Sequence, residues 1–205
     1  MSIVELASED AYEDDVILRV AREPDRVRAE AAAQNLLEAL GVDLSAPDLK
    51  ETPRRIAAMY EELLTPKPFN ATTFPNDDGY DELVLSKSIP FASLCGHHAL
   101  PFSGVAHVGY IPRDRVLGIS KLARIVHYFS HSLQIQERLT KQVADWLEEE
   151  LEPRGVGVVI EAEHSCMTIR GVRAPSKIVT STMYGLLREQ VATRQEFLSL
   201  IGSNG

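Results

Sequence analysis

The chain has 205 residues, of which 44% are hydrophobic and 25% charged, and its formal net charge at pH 7 is −9. These values are typical of a globular protein and exclude general disorder. The acidic balance argues against a protein that coats nucleic acid, because such proteins usually present a basic face. The chain lacks the run of roughly 20 apolar residues that crosses a membrane, and its acidic start does not resemble a signal peptide. We therefore expect a cytoplasmic protein.

A helical pattern follows the acidic start of the chain. We expect residues 1–23 to form a mobile arm and residues 24–80 to form a helical segment. The stretch "EPDRVRAEAAAQNLLEALGVD" predicts a helix that ends at Gly41. The stretch "ETPRRIAAMYEELLTP" predicts a second helix, with Thr52 as its N-cap and Pro53 in its first turn. A proline-rich loop follows it up to residue 80.

The hydrophobic period changes after the loop, and predicted strands replace the helices. The segments "ELVLSKSI", "GVAHVGYI", "RGVGVVIEAEH" and "CMTIRGV" predict four strands. Two predicted helices lie between the second and third strands, Ser120 to about Ser130 and "QIQERLTKQVADWLEEEL". The closing "TRQEFLSLI" predicts a short helix that begins with Thr193 and Glu196 at capping-box spacing. We predict an α+β fold, with residues 81–205 as the second domain.

Both cysteines of the chain lie beside histidines. Cys95 lies two and three residues before His97 and His98, and His164 lies two residues before Cys166. Side chains at i and i+2 of a strand face the same way, so we expect His164 and Cys166 to point together. Two thiolates and one imidazole suit Zn²⁺, and a catalytic zinc typically keeps a fourth position for water. The residues alone leave open which of the three histidines completes the set.

The alternative interpretation is that these cysteines and histidines do not bind a metal. A cysteine near a histidine is most often a small buried apolar side chain beside a satisfied polar one. The spacing matches neither the zinc deaminase pattern nor the paired cysteines of zinc fingers. If a metal is bound, histidines beyond the ligand set are suited to carry protons, because imidazole titrates near neutral pH.

Basic residues in three further stretches suggest an anion site in this acidic chain. "GISKLAR" begins a predicted helix, where free backbone N–H groups favour an anion. "IRGVR" follows the second cysteine, and "TPRR" lies in the first turn of a predicted helix. Any one of these charges alone is best explained as a solvated surface group, and only their combination with a metal favours phosphate binding. The candidates are Ser120, Lys121, Arg124, Arg170, Arg173, Arg54 and Arg55.

Two polar residues interrupt the apolar stripe of the second long helix. Helical periodicity predicts that Gln136 and Glu137 face solvent. The alternative is that this amide and this carboxylate contact the edge of a ligand, for instance the N–H groups of guanine.

Five motifs, in this order along the chain, resemble the GTP cyclohydrolase I family. They are "LCGHHALPFSGVAHVGYIP", "LGISKLARIV", "QIQERLT", "EAEHSCMTIRGV" and the closing "TSTM…TRQEFLSLI". The resemblance implies hydrolysis of GTP to 7,8-dihydroneopterin triphosphate and formate, the first step toward folate and tetrahydrobiopterin. It also implies a tunnelling fold (T-fold), in which small antiparallel sheets join into a barrel. The implied assembly is a homodecamer of two stacked pentamers, with active sites at subunit interfaces.

The resemblance assigns roles to individual residues. The family's zinc ligands fall on Cys95, His98 and Cys166, and its non-ligand catalytic histidines on His97 and His164. Its guanine-recognising position falls on Glu137 with Gln136. Its ribose and triphosphate positions fall on Ser120, Lys121, Arg124 and Arg170. An arginine that the family contributes from a neighbouring subunit falls on Arg55.

One position departs from the family's pattern. Gly96 stands where the family commonly has a glutamate, in Cys-Glu-His-His. All three ligand positions and both catalytic histidines are retained, so the resemblance still implies zinc binding. The missing carboxylate leaves open a reduced activity or an altered purine preference. A rival interpretation is a non-catalytic, zinc-stabilised ring that binds a nucleotide or pterin, although such a ring needs none of His97, His164 and Glu137.

Overall fold

The structure is a computed structural model that describes residues 23–202 and shows a mixed α+β fold. The helices of this part are α1 Arg26–Ala39, α2 Thr52–Leu64, α3 Ser120–Ser130, α4 Gln136–Leu151, α5 Ser165–Thr168, α6 Leu186–Glu189 and α7 Val191–Gly202. Its strands are β1 Thr73–Pro75, β2 Val84–Cys95, β3 Pro101–Ile111, β4 Arg115–Leu117, β5 Leu133–Gln134, β6 Gly155–His164 and β7 Lys177–Gly185.

One five-stranded sheet, in the order β5-β2-β3-β6-β7, organises the fold. Its pairs are antiparallel except for the short parallel contact between β2 and β5. The β3–β6 pairing runs without a register shift from Phe102 opposite His164 to Ile111 opposite Gly155. This pairing brings the start of β3 and the end of β6 to the same end of the sheet. Strands β1 and β4 form a separate small antiparallel sheet.

The main core lies between this sheet and helices α3 and α4. Helix α4 packs on β6 and β7, and α3 packs on β2. Leu139, Val143 and Leu147 of α4 are fully buried, which confirms the apolar stripe predicted for this helix. A smaller cluster, which includes Val159 and Phe197, forms against α7. Strand β6 is apolar almost throughout because its side chains enter both clusters, as in strands that are covered on two faces.

The predicted strand "CMTIRGV" is wrong. Strand β6 ends at His164, the chain turns into the short helix α5, and a loop follows it. Gly171 and Arg173 have φ values of +65° and +51°, which no strand accommodates. The fourth long strand is instead β7, whose half-buried side chains alternate with exposed ones over much of its length. Its β-branched residues Ile178, Val179, Thr180 and Thr182 fit a strand, but the sequence patterns did not predict a strand there.

Two helix starts also differ from the predictions. Helix α2 begins at Thr52, so Glu51 is its N-cap residue, and no side chain caps it. Glu51 pairs instead with Arg54 over 2.7 Å. Helix α7 begins at Val191, which places Thr193 inside the helix, where its hydroxyl donates to Gln190 Oε1 over 3.2 Å. The capping-box spacing there is therefore coincidental.

Helices α1 and α2 pack against each other and leave apolar side chains on their outer surface. Ala33 is the buried residue of α1, whereas Val27 and Leu40 are 81% and 72% exposed. Residues 1–22 of the predicted mobile arm lie outside the described residues, and the boundary at residue 80 stays a prediction. Within the described part, no helix combines the length and the apolar character that a membrane span requires.

We predict that Gly104→Ala disrupts the β3–β6 pairing. A Cβ at Gly104 would lie 1.9 Å from the Glu161 carbonyl oxygen and 2.6 Å from the Cα of Ala162, and both are backbone atoms that cannot rotate away. We expect the free energy of unfolding to fall by about 3 kcal/mol or more, as for severe overpacking. Urea denaturation at fixed protein concentration measures this change.

The matched control is Gly202→Ala, because no atom lies within 4 Å of the Cβ built at that position. We expect this variant to change the free energy of unfolding by less than about 1 kcal/mol. Equal denaturation midpoints for the two variants would contradict the close approach of β3 and β6 at Gly104.

Candidate metal centre

A tight turn after β2 carries two of the predicted site histidines. The N–H of Cys95 donates to the Leu100 carbonyl over 2.8 Å, and the N–H of Ala99 donates to the Cys95 carbonyl over 2.8 Å. The N–H of Gly96 donates to the Gln134 carbonyl over 2.7 Å, which ties the turn to β5. Ala99 adopts the left-handed conformation, with φ of 53°. This conformation costs a non-glycine residue about 1–2 kcal/mol.

The turn and helix α5 together bring three ligand-type side chains into one group. The Sγ of Cys95 lies 3.8 Å from the Sγ of Cys166 and 3.9 Å from Nδ1 of His98. The ligand atoms of the three residues all lie within 4.8 Å of one another. Among residues 23–202, no other group of three His, Cys, Asp or Glu residues could hold a metal ion in this way.

The spacing of these atoms fits a tetrahedral zinc ion. Two thiolates bound at about 2.3 Å in a tetrahedron are about 3.8 Å apart. Cys95 is buried and Cys166 half-buried, whereas His98 is exposed, so one side of the group is open to solvent. Burial and the hydrogen bond to Cys95 raise the pKa of the Cys166 thiol. A bound Zn²⁺ would displace the thiol proton, because a coordinating thiol is deprotonated.

His97 lies beside this group but does not belong to it. Its Nδ1 is 3.9 Å from the Sγ of Cys95, the same distance as for His98. The two rings are 6.3 Å apart and inclined by 68°, so they point in different directions. Only His98 forms a group of three with both cysteines among the described residues. The geometry therefore favours His98 as a ligand and leaves His97 free, although both roles stay predictions.

His164 is held between an aromatic ring and a buried amide. Its ring stacks on Phe102 at 4.4 Å with an interplanar angle of 4°, and its Nε2 lies 2.8 Å from Oε1 of Gln136. Burial lowers the pKa of His164, and the charge of Glu137 partly opposes this effect. His164 is the last residue of β6, and Cys166 belongs to α5. The expected i and i+2 arrangement on one strand is therefore wrong.

The hydrogen bonds of Gln136 fix the tautomer of His164. Nε2 of Gln136 donates to the carbonyls of Ile160 and Ile178 over 3.1 and 2.9 Å, and it lies 3.2 Å from Oγ1 of Thr180. Backbone carbonyls can only accept, so the amide nitrogen must face them and Oε1 must face His164. The Nε2 of His164 must then carry a proton. Its Nδ1 is left as the free acceptor of the neutral ring.

The prediction that Gln136 faces solvent is wrong. Gln136 is 3% exposed, whereas Glu137 is exposed as the periodicity predicts. The first turn of α4 lies against β6 and β7, so its polar residues bond to the sheet. No role was predicted from the sequence for Phe102, Thr140 or Thr180, although Thr140 donates to the Gln136 carbonyl over 2.8 Å. The i, i+4 spacing of Gln136 and Thr140 was the signal available for this network.

The predicted anion-binding residues fall into two sets. Arg170 lies close enough to Cys166 for its positive charge to oppose part of the rise in the pKa of that thiol. Ser120, Lys121 and Arg124 lie at the beginning of α3, which has no side-chain cap. No hydrogen bond or ion pair within residues 23–202 joins these three residues to the cysteine–histidine group. The described chain therefore brings only part of the predicted site together.

The remaining candidates lie on the surface. Arg55 and Glu137 are exposed in the first turns of α2 and α4. Arg54 is paired with Glu51, and Arg173 is exposed in the loop after α5. No described contact ties Arg55 to the metal centre, so its predicted role depends on a neighbouring subunit.

Fold and site together define an α+β protein with an open Cys–His–Cys group that could hold a metal ion, beside an oriented histidine. The family model for GTP cyclohydrolase I matches residues 29–202. GTP cyclohydrolase 1 of Aquifex aeolicus (strain VF5) is 48% identical over 178 residues, which cover 86% of this chain and 97% of that protein. GTP cyclohydrolase 1 of Carboxydothermus hydrogenoformans is 50% identical over 183 residues, which cover 87% and 95%. The chain therefore belongs to the GTP cyclohydrolase I family.

A search of solved structures finds a more distant likeness. The archaeosine synthase QueF-Like in its apo form matches with a TM-score of 0.38 and 20% identity, over 49% of this chain and 93% of that one. This likeness is too weak to carry an argument about fold or activity.

We predict that neutral His164 is the Nε2–H tautomer and that Gln136→Leu weakens this preference. Leucine cannot accept the hydrogen bond, so the share of the Nδ1–H tautomer should rise above its wild-type value. Solid-state NMR of protein labelled with ¹⁵N-histidine measures the tautomer, since the chain has only six histidines. The His164 signals are assigned by their absence from a His164→Asn variant.

The matched control is Gln34→Leu, which removes an amide that donates to Glu38 over 2.8 Å on the exposed surface of α1. It should leave the His164 signals unchanged. A wild-type His164 protonated on Nδ1 would disprove the orientation assigned to the Gln136 amide.

Proposed function

We propose that this chain catalyses the zinc-dependent hydrolysis of GTP to 7,8-dihydroneopterin triphosphate and formate, the first step of tetrahydrofolate and pterin biosynthesis. Membership of the GTP cyclohydrolase I family supports the substrate and the reaction. The observation that carries the proposal is the convergence of Cys95, His98 and Cys166 within 4.8 Å. A zinc-stabilised scaffold could share this group, but the oriented His164 beside it favours catalysis.

Cys95, His98 and Cys166 would hold the zinc ion. When bound there, Zn²⁺ supplies Lewis acidity for the attack of water on C8 of guanine. The exposed position of His98 leaves room for water and substrate on that side of the group. The buried position of Cys95, at the end of β2, anchors the ligand set to the sheet.

The two other histidines would move protons. Because burial lowers its pKa, His164 is neutral near pH 7, and its free Nδ1 can accept a proton. His97 lies beside the ligands without joining them, so it can protonate the imidazole ring of the purine and make C8 more electrophilic. Ring opening and a second hydrolysis then release C8 as formate. After the ribose rearranges, its carbonyl carbon condenses with the freed amine and one water is lost, which closes the pterin ring.

The substrate contacts would come from several elements. The exposed carboxylate of Glu137 can accept hydrogen bonds from the N–H groups of guanine. Gln136 shares this predicted site, but its side chain mainly orients His164. The remaining contacts would surround the ribose and the triphosphate. They come from Ser120, Lys121, Arg124 and Arg170, with Arg55 from a neighbouring subunit.

The open edges of the sheet support a ring assembly with the T-fold. Strand β7 pairs only with β6, and residues 84–93 of β2 pair only with β3 within the described chain. Unpaired strand edges of this length readily add a strand from another chain. We infer that copies join edge to edge into pentamers and that two pentamers stack into a decamer. Several chains would then supply the basic residues that one chain leaves scattered.

The glycine at position 96 is the reason to consider a second candidate function, a cyclohydrolase with an altered purine preference. A Cβ at this position would lie 3.3 Å from the Gln134 carbonyl oxygen, so the glycine allows β5 to approach the turn closely. It also leaves the turn without the carboxylate that the family commonly has there.

The decisive test incubates the zinc-loaded protein with GTP, or with ATP in parallel. The measurements are released formate and pterin fluorescence after oxidation. We expect one formate per GTP consumed and no product from ATP. A scaffold would give no formate with either nucleotide, and an altered preference would give more with ATP.

Truncating each of the adjacent histidines should affect the protein differently. His98→Ala removes one of three ligands, so zinc content and activity should fall together. His97→Ala leaves the ligand set complete, so zinc should stay near the wild-type level of about one per chain. Its turnover should drop by about 10²–10⁴-fold, as for a lost general acid. Metal analysis and the formate assay measure both quantities.

GTP binding provides the control for His97→Ala, which should still bind GTP because its predicted guanine and triphosphate contacts are unchanged. Zinc lost from His97→Ala but kept in His98→Ala would reverse the two assignments. Parallel loss of folding in both variants would mean that both histidines are structural.

A mixed-ring experiment tests the shared site. Arg55→Ala and Glu137→Ala should each be nearly inactive as pure rings, because each lacks one substrate contact. In rings assembled from equal amounts of the two variants, about a quarter of the interfaces should carry both wild-type residues. The formate assay should then show partial recovery, and its absence from verified mixed rings would count against a site built from two subunits.

A further inference from the structure

One hydrogen bond joins the N-terminal helices to the metal-binding turn. The hydroxyl of Tyr60, on α2, donates to the carbonyl of Ala99 over 3.1 Å. The two residues are 39 positions apart in the chain and belong to different elements. The Tyr60 side chain is half-buried and lines the groove between α1 and α2 beside Ala57 and Leu64. Packing of the two helices therefore sets the position of the hydroxyl.

The carbonyl that accepts this bond belongs to the strained residue of the turn. Ala99 follows His98 directly and has φ of 53°, a conformation that a residue with a Cβ adopts only when its surroundings hold it there. Its N–H is bonded to the Cys95 carbonyl, and its own carbonyl points outward to Tyr60. Tyr60 thus contacts the left-handed residue that closes the turn on which His98 lies.

We propose that Tyr60 is a positioning residue for His98, which holds the turn in its metal-binding conformation from the N-terminal helices. This inference rests on the proposed zinc site at Cys95, His98 and Cys166. It adds to that site a residue that touches neither the metal nor the substrate. The sequence gives no signal for it, because Tyr60 and the cysteine motifs belong to separate segments of the chain.

The strength of the effect follows from the balance of two similar energies. The left-handed conformation of Ala99 opposes the metal-binding form of the turn, and the Tyr60 hydrogen bond favours it by a comparable amount. A ligand's apparent affinity falls with the fraction of protein in the binding-competent form. Loss of the hydroxyl should therefore weaken zinc binding without altering the ligand set.

The coupling also runs in the reverse direction, by linkage. Zinc binding fixes the turn, so it should strengthen the Tyr60–Ala99 bond and slow amide exchange in the second half of α2. The N-terminal helices would then report metal occupancy of a site that they do not contain.

The test compares Tyr60→Phe with Tyr80→Phe. Both changes remove one phenolic oxygen, but the Tyr80 side chain is 48% exposed and its hydroxyl has no hydrogen bond among residues 23–202. The zinc dissociation constant of the full chain is measured at 25 °C by competition with a chelator. The visible spectrum of the Co²⁺-loaded protein reports the ligand geometry.

We expect Tyr60→Phe to raise the zinc dissociation constant about three- to tenfold, the loss expected for one net hydrogen bond. Tyr80→Phe should match the wild type. The Co²⁺ spectrum of Tyr60→Phe should keep its thiolate bands, because all ligands remain. Zinc should slow amide exchange in α2 of the wild type but much less in Tyr60→Phe.

A purely structural role for Tyr60 predicts a different result and would overturn the inference. The unfolding temperature of metal-free Tyr60→Phe would then fall, while its zinc dissociation constant and the exchange protection of α2 stayed at wild-type values. Equal weakening in both tyrosine variants would also overturn it. A wild-type chain that binds no zinc would instead disprove the metal site itself, which distinguishes failure of the proposed function from failure of this inference.

Discussion

The unbroken pairing of β3 with β6 is the constraint on which the rest of the site depends. It places Phe102 opposite His164 at the end of the sheet where β2 also ends, at Cys95. The two cysteines are 71 positions apart in sequence, yet their sulfur atoms are 3.8 Å apart because the strands that precede them end together. Gly104 permits this pairing, since any side chain there would collide with the β6 backbone.

The buried amide of Gln136 fixes the orientation of the His164 ring within this arrangement. A buried polar side chain is costly unless it is hydrogen-bonded, and the Gln136 side chain meets this condition with two carbonyls, a threonine and His164. Because the carbonyls only accept, the direction of every bond in the network is determined. The same bonds that satisfy the amide therefore select one tautomer of His164.

Within the described chain, some of the predicted site residues lie apart and both long edges of the sheet are unpaired. The metal centre and the oriented histidine lie within one chain, whereas Arg55 and the residues at the beginning of α3 make no hydrogen bond or ion pair to them among the described residues. Both long edges of the sheet are open over residues 84–93 and along β7. Edge-to-edge assembly would complete both, and would concentrate basic residues in a chain whose net charge is −9. The Tyr60 contact adds a link between the metal turn and the N-terminal helices, whose exposed apolar residues face away from the core.

By itself the sequence determined the α+β class, the apolar stripe of α4 and the family, and it predicted a candidate ligand set, because residue type, local period and motif order carry this information. Only the tertiary structure decided that Gln136 is buried, since periodicity describes a helix and cannot tell which neighbouring strand its first turn meets. It also replaced the strand "CMTIRGV" with a helix and loop, because the end of β6 and the left-handed residues that follow are set by packing. The bond from Tyr60 to Ala99 depends on how two distant elements approach each other, and no local pattern in the sequence encodes that distance.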